Sequence, residues 1–243
     1  MQKWGRISAG PPPEPLSKKV PHSRRAATPL LHSAFCLMHF SSLHVLTLDL
    51  PARSHAAQAE SACAGGAKWI QFRTKSLSGA ERLREAREVV SVCRRHGAVC
   101  IINDSPELAL ACDADGVHLG REDMSPVEAR KLLGPGKILG VTVNFPEDAQ
   151  KVQRERVADY AGVGPWRFTT TKRKLAPVLS PDALRALIQT LSPLPCVVIG
   201  GVTVADVPAI RALGAGVAVS SAVMAAEDPA SSAREFLARL SGA

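Results

Sequence analysis

AVCIINDSPELALACDADGVHLG, residues 98–120, holds a strand, a helix and a second strand in 23 residues. Ala98 to Ile102 is apolar throughout and does not alternate, as expected of a strand in a parallel sheet that is covered on its outer face. Pro106 to Cys112 reads as a short helix, opened by proline. Gly116 to Leu119 is the next strand. Moving toward the N-terminus, Ala67 to Phe72 and Leu43 to Leu50 read as strands. The helices Ala52 to Ala64 and Ser78 to His96 follow them, stopped by Gly65-Gly66 and Gly97. Toward the C-terminus the alternation continues. Ser125-Pro126 opens a helix to Leu133. Strands over Lys137–Val141, Asp159–Val163, Cys196–Ile199 and Val217–Val219 are separated by helices over Pro146–Arg156, Pro181–Leu191 and Val204–Leu213. A last helix starts at Ser221 or Asp228 and ends at Leu240. Eight such units in about 200 residues match a compact (β/α)8 TIM barrel. A doubly wound open sheet is the competing α/β architecture, but no Gly-x-Gly-x-x-Gly follows the first strand.

Composition agrees. Of 243 residues, 46% are hydrophobic and only 4% aromatic, while small and branched aliphatic residues abound, which suits close-packed α/β layers. The net charge of +8 is concentrated at one end: residues 1–42 carry six basic residues and one acidic, leaving +3 for the remainder. That tail has no folded basic motif, so we expect no nucleic-acid partner. It is also rich in proline, and we expect it to be a disordered extension or an over-extended start, with Met38 lying just before the first strand. Ser23-Arg24-Arg25 and the apolar residues after it faintly resemble a targeting signal, but His32 and Ser33 interrupt the run. We expect residues 43–243 to form a single domain. The six cysteines, Cys36, Cys63, Cys93, Cys100, Cys112 and Cys196, form no Cys-x-x-Cys pair and sit mostly in apolar runs. They are expected as buried thiols of a reducing, cytoplasmic compartment. No histidine spacing suggests a metal site, and no apolar run is long enough for a transmembrane helix, so no membrane partner is expected.

In a barrel, the active site lies where strands end and loops begin. Polar residues gather at those points. Gln71, Arg73 and Lys75 end strand two; Asn103 and Asp104 end strand three. Arg121, Glu122 and Asp123 follow strand four, and Thr142 and Asn144 follow strand five. Gly164 to Lys172 follows strand six, Gly200-Gly201 strand seven and Ser220-Ser221 strand eight. Glycines, hydroxyls and a lysine in Gly162 to Lys172 suit phosphate oxygens. Asp104 and Asp123 are placed to share one hard cation such as Mg2+, with phosphate oxygens taking its other positions. Each residue also has a bland role: Asp104 and Asp123 as helix caps, Arg73 as a partner of Asp104 or Glu107, Gln71 as a rim support, Ser220 as an N-cap.

Taken together, the motifs resemble the thiamine-phosphate synthase family. Gln71-Phe72-Arg73-Thr74-Lys75, Ile101-Ile102-Asn103-Asp104 and Ala114 to Asp123 resemble its first three motifs. Gly164-Pro165 through Thr169-Thr170-Thr171-Lys172 resembles its thiazole-phosphate loop, and Ile199 to Thr203 with Ser220-Ser221 its phosphate site. The resemblance runs from Leu43 to the C-terminus. It implies a TIM-barrel transferase that couples 4-amino-2-methyl-5-hydroxymethylpyrimidine diphosphate to 4-methyl-5-(2-phosphoethyl)thiazole, with Mg2+ as cofactor and small molecules as partners. A homo-oligomeric state is compatible with it. By the resemblance, Gln71, Arg73, Lys75, Asn103, Thr142 and Lys172 hold the pyrimidine diphosphate, and Asp104 and Asp123 bind Mg2+. Thr169, Thr170, Thr171, Gly201, Ser220 and Ser221 hold the thiazole phosphate, and Lys172, Thr142 and Arg73 are the catalytic residues. Three positions depart from the common pattern: Asn144 stands where many members have histidine, Thr170 where proline is frequent, and the turn Gly214 to Val217 is one residue short. A related thiazole tautomerase would carry histidine directly after Gly164, where this chain has Pro165. A non-catalytic binding barrel is the third reading, which the full set of charged residues opposes.

Overall fold

The structure, a computed structural model, describes residues 40, 42–168 and 177–242. The expected alternation is present. Strands β1 (Leu43–Leu46), β2 (Trp69–Phe72), β3 (Val99–Asn103), β4 (Gly116–Leu119), β5 (Ile138–Val143), β6 (Tyr160–Val163), β7 (Cys196–Ile199) and β8 (Gly216–Val219) pair in parallel with their chain neighbours. β8 returns to β1, with Leu43 opposite Val217 and Val45 opposite Val219, so the sheet closes into a barrel and has no free edge. The helices outside it are α1 (His55–Ala64), α2 (Gly79–Arg95), α3 (Pro106–Ala111), α4 (Pro126–Leu133), α5 (Pro146–Glu155), α6 (Pro181–Leu191), α7 (Val207–Arg211), α8 (Ser221–Met224) and α9 (Pro229–Ser241). The expected helix over 204–213 divides into a 3-10 turn (Val204–Asp206) and α7. The last helix is two helices, α8 and α9, with Asp228 capping the second through Ser231 N.

Strand residues alternate between two cores. Outward residues such as Val45, Ile70, Ile102 and Val117 pack under the helices. Inward residues Leu46, Trp69, Ile101, Ile138, Tyr160, Val197 and Ala218 fill the barrel itself. The floor of the barrel is aromatic: His44 stacks on Trp69 with ring centroids 4.2 Å apart, and Phe40 meets both edge-on. Tyr160 fits only because Gly140 faces it; a Cβ at Gly140 would lie 2.2 Å from the tyrosine Cζ. The five described cysteines are buried and unpaired, as expected; Cys36 lies outside the described residues.

Candidate active site

The C-terminal ends of the strands gather most of the residues singled out above. At β2 and β3, Gln71 Nε2 donates to Asn103 Oδ1 at 2.7 Å, and both side chains are buried. Beyond them Lys75 Nζ bonds Asp104 Oδ2 at 2.7 Å. Asp104 holds a left-handed backbone, φ 70°, uncommon for any residue but glycine or asparagine. That turn is fixed on two sides: Asp104 N donates to His118 O at 2.9 Å, and Arg82 Nη2 of α2 donates to Asn103 O at 3.2 Å. The cap readings of the two aspartates are corrected here. Ser105 Oγ caps α3 through Leu108 N, and Ser125 Oγ caps α4 through Glu128 N. Asp123 instead closes its own turn, accepting from Gly120 N at 2.6 Å. Ser220 stands at the N-cap position of α8 but makes no capping bond. Glu107 accepts from the Ser105 hydroxyl; burial lowers the Arg73 pKa, and the charges of Asp104 and Asp49 work against that shift.

The carboxyls of Asp104 and Asp123 are near enough to act on each other electrostatically. Burial opposes ionisation of Asp104, but the Lys75 ammonium outweighs it and holds Asp104 below the usual carboxylate range. Burial pushes Asp123 up, helped by the Asp104 charge, against the Gly120 N–H bond. Two adjoining oxygen-donor carboxyls, one favouring a proton at the expense of the other, make a pair that a hard divalent cation relieves. Among the described residues no group of three or more acidic, histidine or cysteine side chains is arranged around a metal position. The residues present therefore fit an ion that takes two protein carboxylates and draws its other ligands from phosphate and water.

Two networks went unread in the sequence. Thr47, fully buried, accepts from Arg73 N at 2.9 Å and lies 2.8 Å from His55 Nδ1. His55 Nε2 faces Asp49 Oδ1 at 3.2 Å, and Asp49 accepts from Thr74 Oγ1 (2.6 Å), Lys75 N (2.7 Å) and Ser76 Oγ (3.0 Å). Burial drives the His55 pKa below the ordinary imidazole range despite Asp49, so the ring is neutral at pH 7. These bonds fix the loop that carries Arg73 and Lys75. Both were missed because the first strand was expected to run from Leu43 to Leu50; β1 ends at Leu46, which puts Thr47 and Asp49 in the rim loop. The second network lies inside the barrel: His118 bonds Tyr160 Oη through Nδ1 and Thr142 Oγ1 through Nε2, both at 3.0 Å. Thr142 is thus corrected from a loop residue to a β5 residue, opposite Gly162.

Across the rim, the β6 loop and the β7 turn run side by side. Trp166 N donates to Ile199 O (2.9 Å) and Arg167 N to Gly200 O (2.8 Å). Gly200 (φ 104°) and Gly201 (φ 63°) need glycine, and a Cβ at Gly200 would meet Pro165 at 2.8 Å. Arg167 forms a bidentate pair with Asp206. Ser220 Oγ is buried and has no hydrogen-bond partner among the described residues. Asn144 Nδ2 donates to Gly164 O at 2.6 Å and ties β5 to β6. A cavity of about 430 Å3 connects the two ends, walled by Arg73, Asp123 and Thr142 on one side and Gly201, Ser220 and Ser221 on the other. The short turn before β8 has not displaced the two serines from it. Lys75, Asp104, Gln71 and Asn103 do not line this cavity. Thr169, Thr170, Thr171 and Lys172 lie outside the described residues.

Comparison with known proteins places this arrangement. The family model described as thiamine monophosphate synthase matches residues 44–223. The chain is 41% identical over 202 residues to the thiamine-phosphate synthase of Bacteroides thetaiotaomicron, covering 81% of this chain and 96% of that protein. It is 44% identical over 190 residues to the thiamine-phosphate synthase of Chloroflexus aurantiacus, covering 78% and 87%. The solved thiamine phosphate pyrophosphorylase of Pyrococcus furiosus superposes with a TM-score of 0.75 at 31% identity, over 82% of this chain and 95% of that one.

Proposed function

The chain belongs to the thiamine monophosphate synthase family, and from that membership we propose that it couples 4-amino-2-methyl-5-hydroxymethylpyrimidine diphosphate to 4-methyl-5-(2-phosphoethyl)thiazole, releasing thiamine phosphate and diphosphate. It is a transferase. The observation that carries the reading is a cavity with two anion-binding ends of different character. One end is walled by Arg73 and Asp123, with the Lys75–Asp104 pair adjoining them outside the cavity; the other has the Gly200-Gly201 turn and the Ser220 hydroxyl, which has no hydrogen-bond partner among the described residues.

The chemistry suits these residues. The C–O bond between the pyrimidine methylene and the diphosphate breaks, and its electron pair leaves with the diphosphate. The electron-rich aminopyrimidine spreads the positive charge left on carbon, and the thiazole nitrogen then forms the new C–N bond. Such a step needs charge neutralisation and alignment rather than a protein nucleophile. Asp104 and Asp123 would hold Mg2+, which when bound supplies positive charge against the departing diphosphate. Arg73 and Lys75, set by Thr47 and Asp49, hold diphosphate oxygens. Gln71 and Asn103, bonded to each other, present their remaining amide groups to the pyrimidine diphosphate. His118 orients the Thr142 hydroxyl toward the same substrate. Gly201, Ser220 and Ser221 grip the thiazole phosphate, and Thr169, Thr170, Thr171 and Lys172 complete the two grips by the family resemblance. We assign residues 43–243 to the catalytic domain. We place the protein in the cytoplasm, a reading supported by its buried unpaired thiols; no described helix is long and apolar enough to cross a membrane.

The test is a coupling assay with both substrates and Mg2+, with and without chelator, alongside Asp104→Ala. We expect Mg2+-dependent thiamine phosphate from the wild type and a loss of at least about 100-fold in the variant, the scale on which one strong transition-state electrostatic contact counts. Wild-type protein that binds thiazole phosphate and yields no product would overturn the reading.

A further inference from the structure

Arg121 stands in the turn after β4, between Gly120 and Asp123, and lines the cavity. Its Nε donates to Asp148 Oδ1 at 3.0 Å, and its guanidinium carbon lies 4.6 Å from the Phe145 ring centroid. Asp148 is itself fixed, since its second oxygen accepts from Asn144 N and Phe145 N, each at 3.0 Å. The guanidinium is therefore engaged at one nitrogen and one face. Its terminal nitrogens, Nη1 and Nη2, have no hydrogen-bond partner among the described residues. That leaves the planar edge that matches two oxygens of a phosphate.

The charges nearby decide which phosphate. Asp123, two residues along the same turn, belongs with Asp104 to the diphosphate end. Lys75 is engaged by Asp104, and Arg167, at the opposite end, by Asp206. A diphosphate arriving beside three carboxyls (Asp104, Glu122 and Asp123) calls for a further cation beside Arg73 and Lys75, and Arg121, whose partner Asp148 takes only its Nε, keeps both terminal nitrogens for it. We infer that Arg121 is a further substrate-binding residue, whose terminal fork takes the diphosphate of the pyrimidine substrate, with Asp148 and Phe145 as its positioning residues. This rests on the function proposed above.

The experiment uses the full chain as wild type, Arg121→Gln, Arg121→Lys, Asp148→Asn and the Arg121→Gln/Asp148→Asn double variant. Each substrate is varied in turn, and inorganic diphosphate with Mg2+ is titrated calorimetrically. For Arg121→Gln we expect the KM for the pyrimidine diphosphate and the Kd for inorganic diphosphate to rise roughly 10-fold or more, as for loss of a charge-assisted hydrogen bond. The KM for the thiazole phosphate should stay within about two-fold, since no contact to that end is removed. Lysine should restore part of the loss, and the double variant should be no worse than Arg121→Gln alone. Unchanged diphosphate binding, or a rise confined to the thiazole phosphate, overturns the assignment; additive losses in the double variant overturn the role of Asp148. Should the wild type make no thiamine phosphate, the proposed function fails while the diphosphate titration still decides Arg121.

Discussion

Asp49 serves four donors with two oxygens, and three of those donors belong to the loop that presents Lys75. Asparagine has one acceptor oxygen and turns a donor toward the others. Asp49→Asn should therefore cost about 1–3 kcal/mol, the penalty for leaving half-buried donors without an acceptor. It should also raise the KM for the pyrimidine diphosphate, because Arg73 and Lys75 lose their fixed loop. Urea unfolding and kinetics with each substrate varied check the two parts; a loss of stability with unchanged KM would confine Asp49 to the scaffold. Gly140 makes a different argument. Its alanine variant must push the Tyr160 ring aside, and that ring is held by the His118 bond and by Trp69. We expect Gly140→Ala to destabilise by about 3 kcal/mol, at the top of the range for overpacking. A variant as stable as wild type would show that the ring has room to move. Neither residue stood out in the sequence. Gly140 is one glycine among 18, and Asp49 fell inside the strand expected over Leu43 to Leu50, which in fact ends at Leu46.

The β6 loop and the β7 turn act as one element. Backbone bonds from Trp166 and Arg167 continue the β6–β7 pairing, Leu179 N returns to Pro165 O at 3.0 Å, and the Arg167–Asp206 pair locks the two together. Asp206 also accepts from Thr203 N and Oγ1. The Arg167 guanidinium, with these other donors, holds the Asp206 pKa far below its usual 3.8 against the opposing effect of burial. The sign follows from linkage. A depressed carboxyl contributes its full stability above the unfolded value, near pH 4, and loses it as pH falls toward the folded value. Wild type should thus be more stable than Asp206→Asn at pH 7. The gap in urea midpoint should persist to about pH 4.5 and narrow steadily below it. A gap that is the same at pH 7 and pH 2.5 would mean that Asp206 acts by shape alone. The element also shows what sequence can and cannot give. Gly200-Gly201 was legible as a glycine turn at the end of strand seven, and both residues hold positive φ. The ion pair was not, because Arg167 reads as one more solvated base and Asp206 as one more helix-start acid.

At the scale of the whole molecule, the barrel was legible because closure imposes its own pattern. Short strands buried on both faces read as unbroken apolar runs, and eight of them in sequence leave few alternatives. What escaped was the floor. The strand pattern places the first barrel residue at Leu43, yet Phe40 packs under the barrel against His44 (ring centroids 5.1 Å), Trp69 (5.8 Å) and Tyr160 (6.2 Å). Ser42 O accepts from Val217 N at 2.7 Å, which extends the β1–β8 seam by one bond. A residue that closes a barrel end carries no periodic signal, since it belongs to no strand. Two shortened chains separate the contributions. A chain beginning at Met38 keeps Phe40 and Ser42, and should unfold at the same urea midpoint as the full chain. A chain beginning at Leu43 loses both, and should be destabilised by about 2–3 kcal/mol, from the apolar area of a partly buried phenylalanine together with one backbone hydrogen bond. Phe40→Ala in the Met38 chain should reproduce roughly half to two-thirds of that loss, because it removes the ring and leaves the Ser42 bond. Equal stability of the Met38 and Leu43 chains would mean that the floor is sealed by His44, Trp69 and Tyr160 alone, and that the seam between β8 and β1 is complete without Ser42.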